Sequence, residues 1–189
     1  VDERPTGQEY RRMVSGQMYA PGDPELSRWS LRARTLVWQW HQLPPTDGAG
    51  RRALLEQIFG TIGQACTIEA GLHLDYGFHI SLGERFYANT GCSMLDAAPI
   101  TIGEDVMFAP HVQLSTATHP IGPVERTGGR EYAQPIVIGD RVWLAGGVIV
   151  GPGVTIGSDT VVGAGAVVLR DLPAGVVAAG TPARVLREV

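Results

Sequence analysis

The stretch IGDRVWLAGGVIVGPGVTIGSDTVVGAGAVV, residues 138–168, decides the fold. Within it Ile138, Leu144, Val150, Ile156, Val162 and Val168 recur at a fixed step of six, and Gly139, Gly151, Gly157 and Gly163 each follow one of them. A helix repeats about every 3.6 residues and a half-buried strand about every two, so neither accounts for this step. A repeating hexapeptide is the signature of a parallel sheet wound into a β-helix.

The same step extends towards the N-terminus. Hexads begin at Ile62, Ile68 and Leu74, then after two extra residues at Leu82, Ala88 and Met94. Two more residues intervene around Pro99-Ile100, and hexads resume at Ile102, Phe108 and Leu114. With the six downstream, fifteen hexads give about five triangular coils stacked about 4.8 Å apart. The fifth position is also apolar or small (Val106, Val112, Val142, Val148, Val154, Ala166), so first and fifth positions are both expected to point inward. General crossover rules alone favour a right-handed coil.

The first sixty residues follow a different pattern. Gln8 to Tyr19 and Pro24 to Leu43 read as helices, the second with Leu31, Leu36, Val37 and Trp40 at helical spacing. Pro21 and Pro24 separate them, and Pro44-Pro45 stops the second. Arg51 to Phe59 reads as a third helix, with Gly60 as its stop. The expected organisation is a helical cap over 1–60, a β-helix over 61–175 with an inserted loop at 119–135, and a C-terminal tail over 176–189. Capping one end of a solenoid is a normal requirement of repeat folds.

Bulk properties exclude several function classes. A net charge of −4, with all fifteen basic residues arginine, gives no broad attraction to nucleic acid or anionic membrane. No basic patch with interleaved aromatics is present. No apolar run approaches the roughly eighteen residues that a membrane-spanning helix needs. Val1 to Arg4 lacks the apolar core of a secretory leader, so a cytoplasmic location is expected. Cys66 and Cys92 form no CxxC pair and are expected as reduced core or near-core residues.

Function is expected where the repeat breaks. The excursion from His119 to Pro135 is polar and turn-rich, and it sits between two well-registered blocks. A solenoid spends its backbone hydrogen bonds regularly, so such an excursion is free to shape a site.

Several segments carry a resemblance. They are Met13 to Tyr19 with Asp23-Pro24; Phe86-Tyr87-Ala88-Asn89 with Met94-Leu95-Asp96; Thr118-His119-Pro120; Val142-Trp143-Leu144; Pro152 to Gly157; Gly163-Ala164-Gly165; and Ala178 to Val185. In this order they resemble the maltose and galactoside acetyltransferases, a family of hexapeptide-repeat enzymes. The resemblance implies a left-handed parallel β-helix with an N-terminal helical segment, assembled as a homotrimer with active sites between subunits. It implies acetyl transfer from acetyl-CoA to a sugar or glycoside hydroxyl, without a metal.

By that resemblance His119 is the general base. An alcohol holds its proton tightly at neutral pH, and a neutral imidazole, with an ordinary pKa of about 6.5, can accept it as the oxygen attacks the thioester. Asn89, Asp96, Asp75 and Tyr87 are implied on the acceptor side, where amides and carboxylates suit sugar hydroxyls. Relatives can carry a second acid where Ala97 stands and a small hydroxyl residue where Asp75 stands. Relatives also place an acid soon after the aromatic equivalent to Tyr19; here Asp23 is the nearest acid, and it is expected instead to cap the helix at Pro24. On the donor side the resemblance implies Trp143 at the thioester end, Gly146 and Ala164 beside the pantetheine arm, Leu169 nearby, and Arg170, Arg184 and Arg187 at the phosphates.

Three other readings remain open on sequence alone. An acetyltransferase with a non-sugar acceptor, such as an antibiotic or an amino acid, would share the coil and donor site. A non-catalytic scaffold would use only the regular faces. A zinc hydratase like the γ-class carbonic anhydrases would need about three convergent ligands; the candidates are His73, His79, His111 and His119, of which His73 and His79 lie six apart, but His111 and His119 do not match that family's spacing.

Overall fold

The computed structural model describes residues 4–189; Val1, Asp2 and Glu3, on which the expectation about a leader falls, lie outside the described residues. Each hexad supplies one short strand, and three parallel sheets form the faces of the coil. The first face stacks Thr61–Ile62, Ile80–Leu82, Ile100–Ile102, Ile136–Ile138 and Thr155–Ile156. The second stacks Thr67–Ile68, Tyr87–Ala88, Met107–Phe108, Trp143–Leu144, Val161–Val162 and Val176–Gly180, closed by antiparallel Ala183–Glu188. The third stacks His73–Leu74, Ser93–Leu95, Gln113–Ser115, Ile149–Val150 and Val167–Val168.

All fifteen hexad residues fall in register. Ile62, Leu82, Ile102, Ile138 and Ile156 align on the first face. Ile68, Ala88, Phe108, Leu144 and Val162 align on the second, and Leu74, Met94, Leu114, Val150 and Val168 on the third. Apart from half-buried Ile62, these residues are buried, as are Val106, Val112, Val142, Val148, Val154 and Ala166. Burying each such aliphatic side chain contributes about 1.5–3 kcal/mol, which explains why one inward position per hexad holds the register. Where small Ala88 faces the core, Phe86 and Phe108 fill the space edge to face, with centroids 5.0 Å apart.

The number of turns is about six rather than five. Beyond Val168, Leu172 bridges Ile156 on the first face and Ala178 pairs with Val162 on the second. The sixth turn is therefore partial, and the segment after residue 175 continues the second sheet instead of leaving it.

Three helices precede the coil: α1 (Gln8–Val14), α2 (Pro24–Gln42) and α3 (Gly48–Ile58). Helix α1 is shorter than its pattern suggests, because the chain turns at Gly16 with φ of 73°. Asp23 caps α2, accepting from the amides of Glu25 and Leu26 at 2.9 and 3.2 Å, as expected. Helix α3 begins before Arg51, where Asp47 accepts from Gly50 N. The buried face of α2 consists of Leu26, Trp29, Ala33, Val37 and Trp40, whereas Leu31 faces outward. Trp40, Leu55 and Ile58 join the solenoid core, so the helices seal its first turn. Among the described residues, no helix is long and apolar enough to cross a membrane.

Candidate active site

The extra residues after Leu74, those around Pro99 and the excursion after Leu114 all follow strands of the third face. They therefore meet at one corner, the one leading back to the first face. Elsewhere the coil turns tightly, and at this corner the chain is free to build a pocket.

The excursion is an arm folded back on itself. Ala117–Thr118 pairs antiparallel with Tyr132–Ala133, and a short helix, α4 (Pro123–Thr127), sits at the tip. Tyr19 adds to this arm: its amide donates to Glu131 O at 2.9 Å, and Glu131 N donates to Tyr19 O at 3.1 Å. The base is fixed by Thr116, whose hydroxyl donates to Leu95 O at 2.7 Å and accepts from Ala98 N at 2.9 Å. His119 lies just beyond the paired strands, with its side chain 53 % exposed and Nε2 3.5 Å from Oε2 of Glu131.

Glu131 links the arm to a pocket of about 250 Å³ lined by Pro21, Ser27, Ser30, Arg34, Asp75, Tyr76, Ala97 and Glu131. The buried Tyr19 hydroxyl donates to Glu131 Oε1. Burial, then that carboxylate, raises the Tyr19 phenol well above its ordinary pKa. Glu131 is the main residue that sequence reading did not single out. It appears there as one polar residue of the excursion, and its pairing with Tyr19 spans 112 positions.

Asp75 projects a carboxylate into the pocket, and among the described residues that carboxylate accepts no hydrogen bond. Burial, and then the negative charges of Asp96 and Glu131, push its pKa up to about 6, with Arg34 opposing.

Asp96, expected on the acceptor side, does not line this pocket. It is fully buried, and its carboxylate accepts from the amides of Asp75, Tyr76 and His79 at 3.1, 2.8 and 3.3 Å. Its backbone carbonyl accepts from His79 Nδ1 at 2.8 Å, and the other ring nitrogen of His79 meets the Tyr10 hydroxyl at 3.3 Å. Burial drives the His79 pKa down to about 4, which suits a neutral ring in this network. Asp96 thus braces the loop that carries Asp75, and its neighbour Ala97 is the residue that faces the pocket. Asp96→Ala is expected to destabilise the fold by about 2–4 kcal/mol by leaving those amides unpaired. Urea unfolding of variant and parent checks this; an unchanged midpoint would show that the brace is idle.

The remaining expected residues lie elsewhere on the coil. Asn89 follows the second-face strand Tyr87–Ala88, and its Oδ1 accepts from Thr90 N at 2.7 Å. Tyr87, Met107 and Trp143 stack in register on the outside of that face, with Met107 50 % and Trp143 45 % exposed. Gly146 and Ala164 occupy the corner between second and third faces, where Gly165 N donates to Gly146 O at 2.9 Å. A side chain at neighbouring Gly147 or Gly165 would meet nothing, so this corner presents bare backbone beside open space. Arg184 and Arg187 are exposed on the closing hairpin of the second face. Leu169 and Arg170 are exposed at the other corner, after the third face. One chain therefore does not gather the expected residues: His119, Asp75, Leu169 and Arg170 sit at one corner, and Asn89, Gly146 and Ala164 at another.

Among the described residues, no group of three His, Cys, Asp or Glu side chains is placed to hold a metal ion. Both cysteines are free; Cys92 is buried and Cys66 half-buried, and burial raises both thiols above their ordinary pKa.

Residues 12–63 match the maltose acetyltransferase hexapeptide capping motif, and residues 135–170 match the bacterial transferase hexapeptide of six repeats. The galactoside O-acetyltransferase of Escherichia coli strain K12 is 38 % identical over 178 residues, which cover 94 % of this chain and 88 % of that protein. A crystal structure of a maltose O-acetyltransferase from Clostridium difficile 630 superposes with a TM-score of 0.95 at 40 % identity, covering 99 % of each chain. A galactoside acetyltransferase in complex with coenzyme A superposes with a TM-score of 0.93 at 37 % identity, covering 97 % of this chain and 92 % of that one.

Proposed function

This chain belongs to the maltose and galactoside O-acetyltransferase family of hexapeptide-repeat enzymes, and from that premise we propose that it transfers acetyl from acetyl-CoA to a hydroxyl, a primary one, of a sugar or glycoside. The observation that carries the reading is the contact of His119 with Glu131, a residue that lines a polar pocket.

The acceptor binds in the pocket with its reacting hydroxyl against the imidazole of His119. That ring takes the hydroxyl proton while the oxygen attacks the thioester carbonyl carbon. A C–O bond forms, the C–S bond of the tetrahedral intermediate breaks, and the imidazolium returns its proton to the departing CoA thiolate. No acyl-enzyme forms, so neither cysteine takes part. Glu131 orients the imidazole, while its tie to Tyr19 keeps the carboxylate in place. Asp75 accepts hydrogen bonds from the acceptor.

The donor lies along the bare corner at Gly146 and Ala164. Trp143 packs near its thioester end, Leu169 lies nearby, and Arg170, Arg184 and Arg187 meet its phosphates. Guanidinium forks suit phosphate oxygens. The separation of these residues between two corners is the reason for a composite site. A homotrimer closed by a threefold axis sets the His119 corner of one copy against the Asn89 and Gly146 corner of the next. Ile121 and Val124, 93 % and 87 % exposed at the arm's tip, are apolar surface that a neighbouring copy would cover.

A panel of mono-, di- and thio-glycosides, each incubated with acetyl-CoA, tests the reading by release of free thiol. Glycoside-dependent release with an ester product is the expected result; release with no glycoside above the rate of background hydrolysis overturns it.

A further inference from the structure

The pocket beside His119 has an unbalanced charge. Asp75 and Glu131 line it, and Asp96 lies directly behind the Asp75 loop. Against these three carboxylates the pocket lining sets one cation, Arg34, which is exposed on α2. The groups around Asp96 do not offset its charge. Its partners are backbone amides, and His79 alongside is neutral. Glu131 is occupied by the Tyr19 hydroxyl and faces His119. Of the pocket's carboxylates, Asp75 has a side chain with no hydrogen bond or ion pair among the described residues, half-buried and opening into about 250 Å³ of space that small Ala97 and Pro21 leave clear.

A neutral glycoside would satisfy the hydrogen-bonding capacity of that carboxylate but not the surplus charge. An ammonium group would do both, because its positive charge adds Coulombic attraction to the hydrogen bond that any donor makes to the carboxylate. We propose that the acceptor carries a protonated amine, as in an amino sugar, with the ammonium seated against Asp75 and a separate hydroxyl presented to His119. The inference rests on the proposed O-acetyl transfer and names the substrate class of the same pocket. The amine is an anchor and stays unacetylated; the acetyl goes to oxygen, by the same bond exchange and proton path as above.

The test compares kcat/KM at pH 7 for methyl 2-amino-2-deoxyglucoside, its N-acetyl form and methyl glucoside, with acetyl-CoA saturating. The expected result is a preference for the free amine of about tenfold or more, equivalent to about 1.4 kcal/mol. This preference should shrink as salt is raised, since the pocket is open to solvent. Asp75→Asn keeps the shape and removes the charge, and the ratio of amine to neutral rates should fall to near one. The ratio in the parent enzyme decides the matter even if the variant folds poorly. The product should be a base-labile ester with its amine free. Equal or better turnover of the neutral glycoside overturns the inference and leaves the proposed function standing, as does a preference that survives Asp75→Asn. Acetylation of the nitrogen overturns the anchoring role. Turnover of none of the three, together with a blank glycoside panel, removes both.

Discussion

His119→Ala lowers kcat at least about a hundredfold and leaves CoA affinity within a few-fold of the parent. The size follows from the chemistry. Without a base the acceptor must lose its proton to water while attacking, and a positioned base is worth roughly 10²–10⁴-fold. The selectivity follows from the geometry. The imidazole stands on the excursion, more than half exposed, and belongs to neither buried core. The bare corner assigned to the pantetheine arm is built from other strands of the coil. The unfolding midpoint should therefore be unchanged, and the loss should appear in turnover alone. Steady-state thiol release and calorimetric titration with CoA measure the two quantities separately. Near-normal turnover would reject His119 as the base; a parallel collapse of CoA affinity would show that the ring shapes the donor site instead.

The coil was legible because its constraint is local and repeated. Each turn buries one residue per strand, so Ile138, Leu144 and Val150 and their equivalents mark the register without reference to the rest of the chain. The sixth turn escaped because Val168 is followed by Leu172 after four residues, not six, and Ala178 lacks a flanking glycine. The arm was also visible as a break in the repeat, because the hexad step lapses between Leu114 and Ile138. What lay beyond the sequence was the direction of individual side chains there. The resemblance implied Asp96 on the acceptor side, yet Asp96 and Ala97 are both buried and it is Ala97 that lines the pocket. The loop at 75–79 explains the burial, because its amides need a buried acceptor and Asp96 supplies one. Glu131 was hidden for a different cause: its role depends on Tyr19, which bridges to it from 112 positions away.

The separation of His119 from Asn89 leads to the second large effect. If one chain held a whole site, mixing His119→Ala chains with Asn89→Ala chains would give only dead sites, because every chain lacks one group. If each site takes His119 from one copy and Asn89 from the next, a mixed trimer regains sites in which an Asn89→Ala chain supplies the histidine and a His119→Ala chain the asparagine. Random assembly from equal amounts makes that pairing in about one site in four, so the co-expressed mixture should show about a quarter of parental activity. Each variant expressed alone should show less than about a tenth, His119→Ala from loss of the base and Asn89→Ala from loss of acceptor positioning. The recovered rate should fall on dilution into conditions that separate the chains, and return on reassembly. A mixture no more active than the average of the two single variants would place the entire site within one chain. It would also require the arm carrying His119 to reach across the third face to Asn89, a movement that the pairing of Ala117–Thr118 with Tyr132–Ala133 opposes.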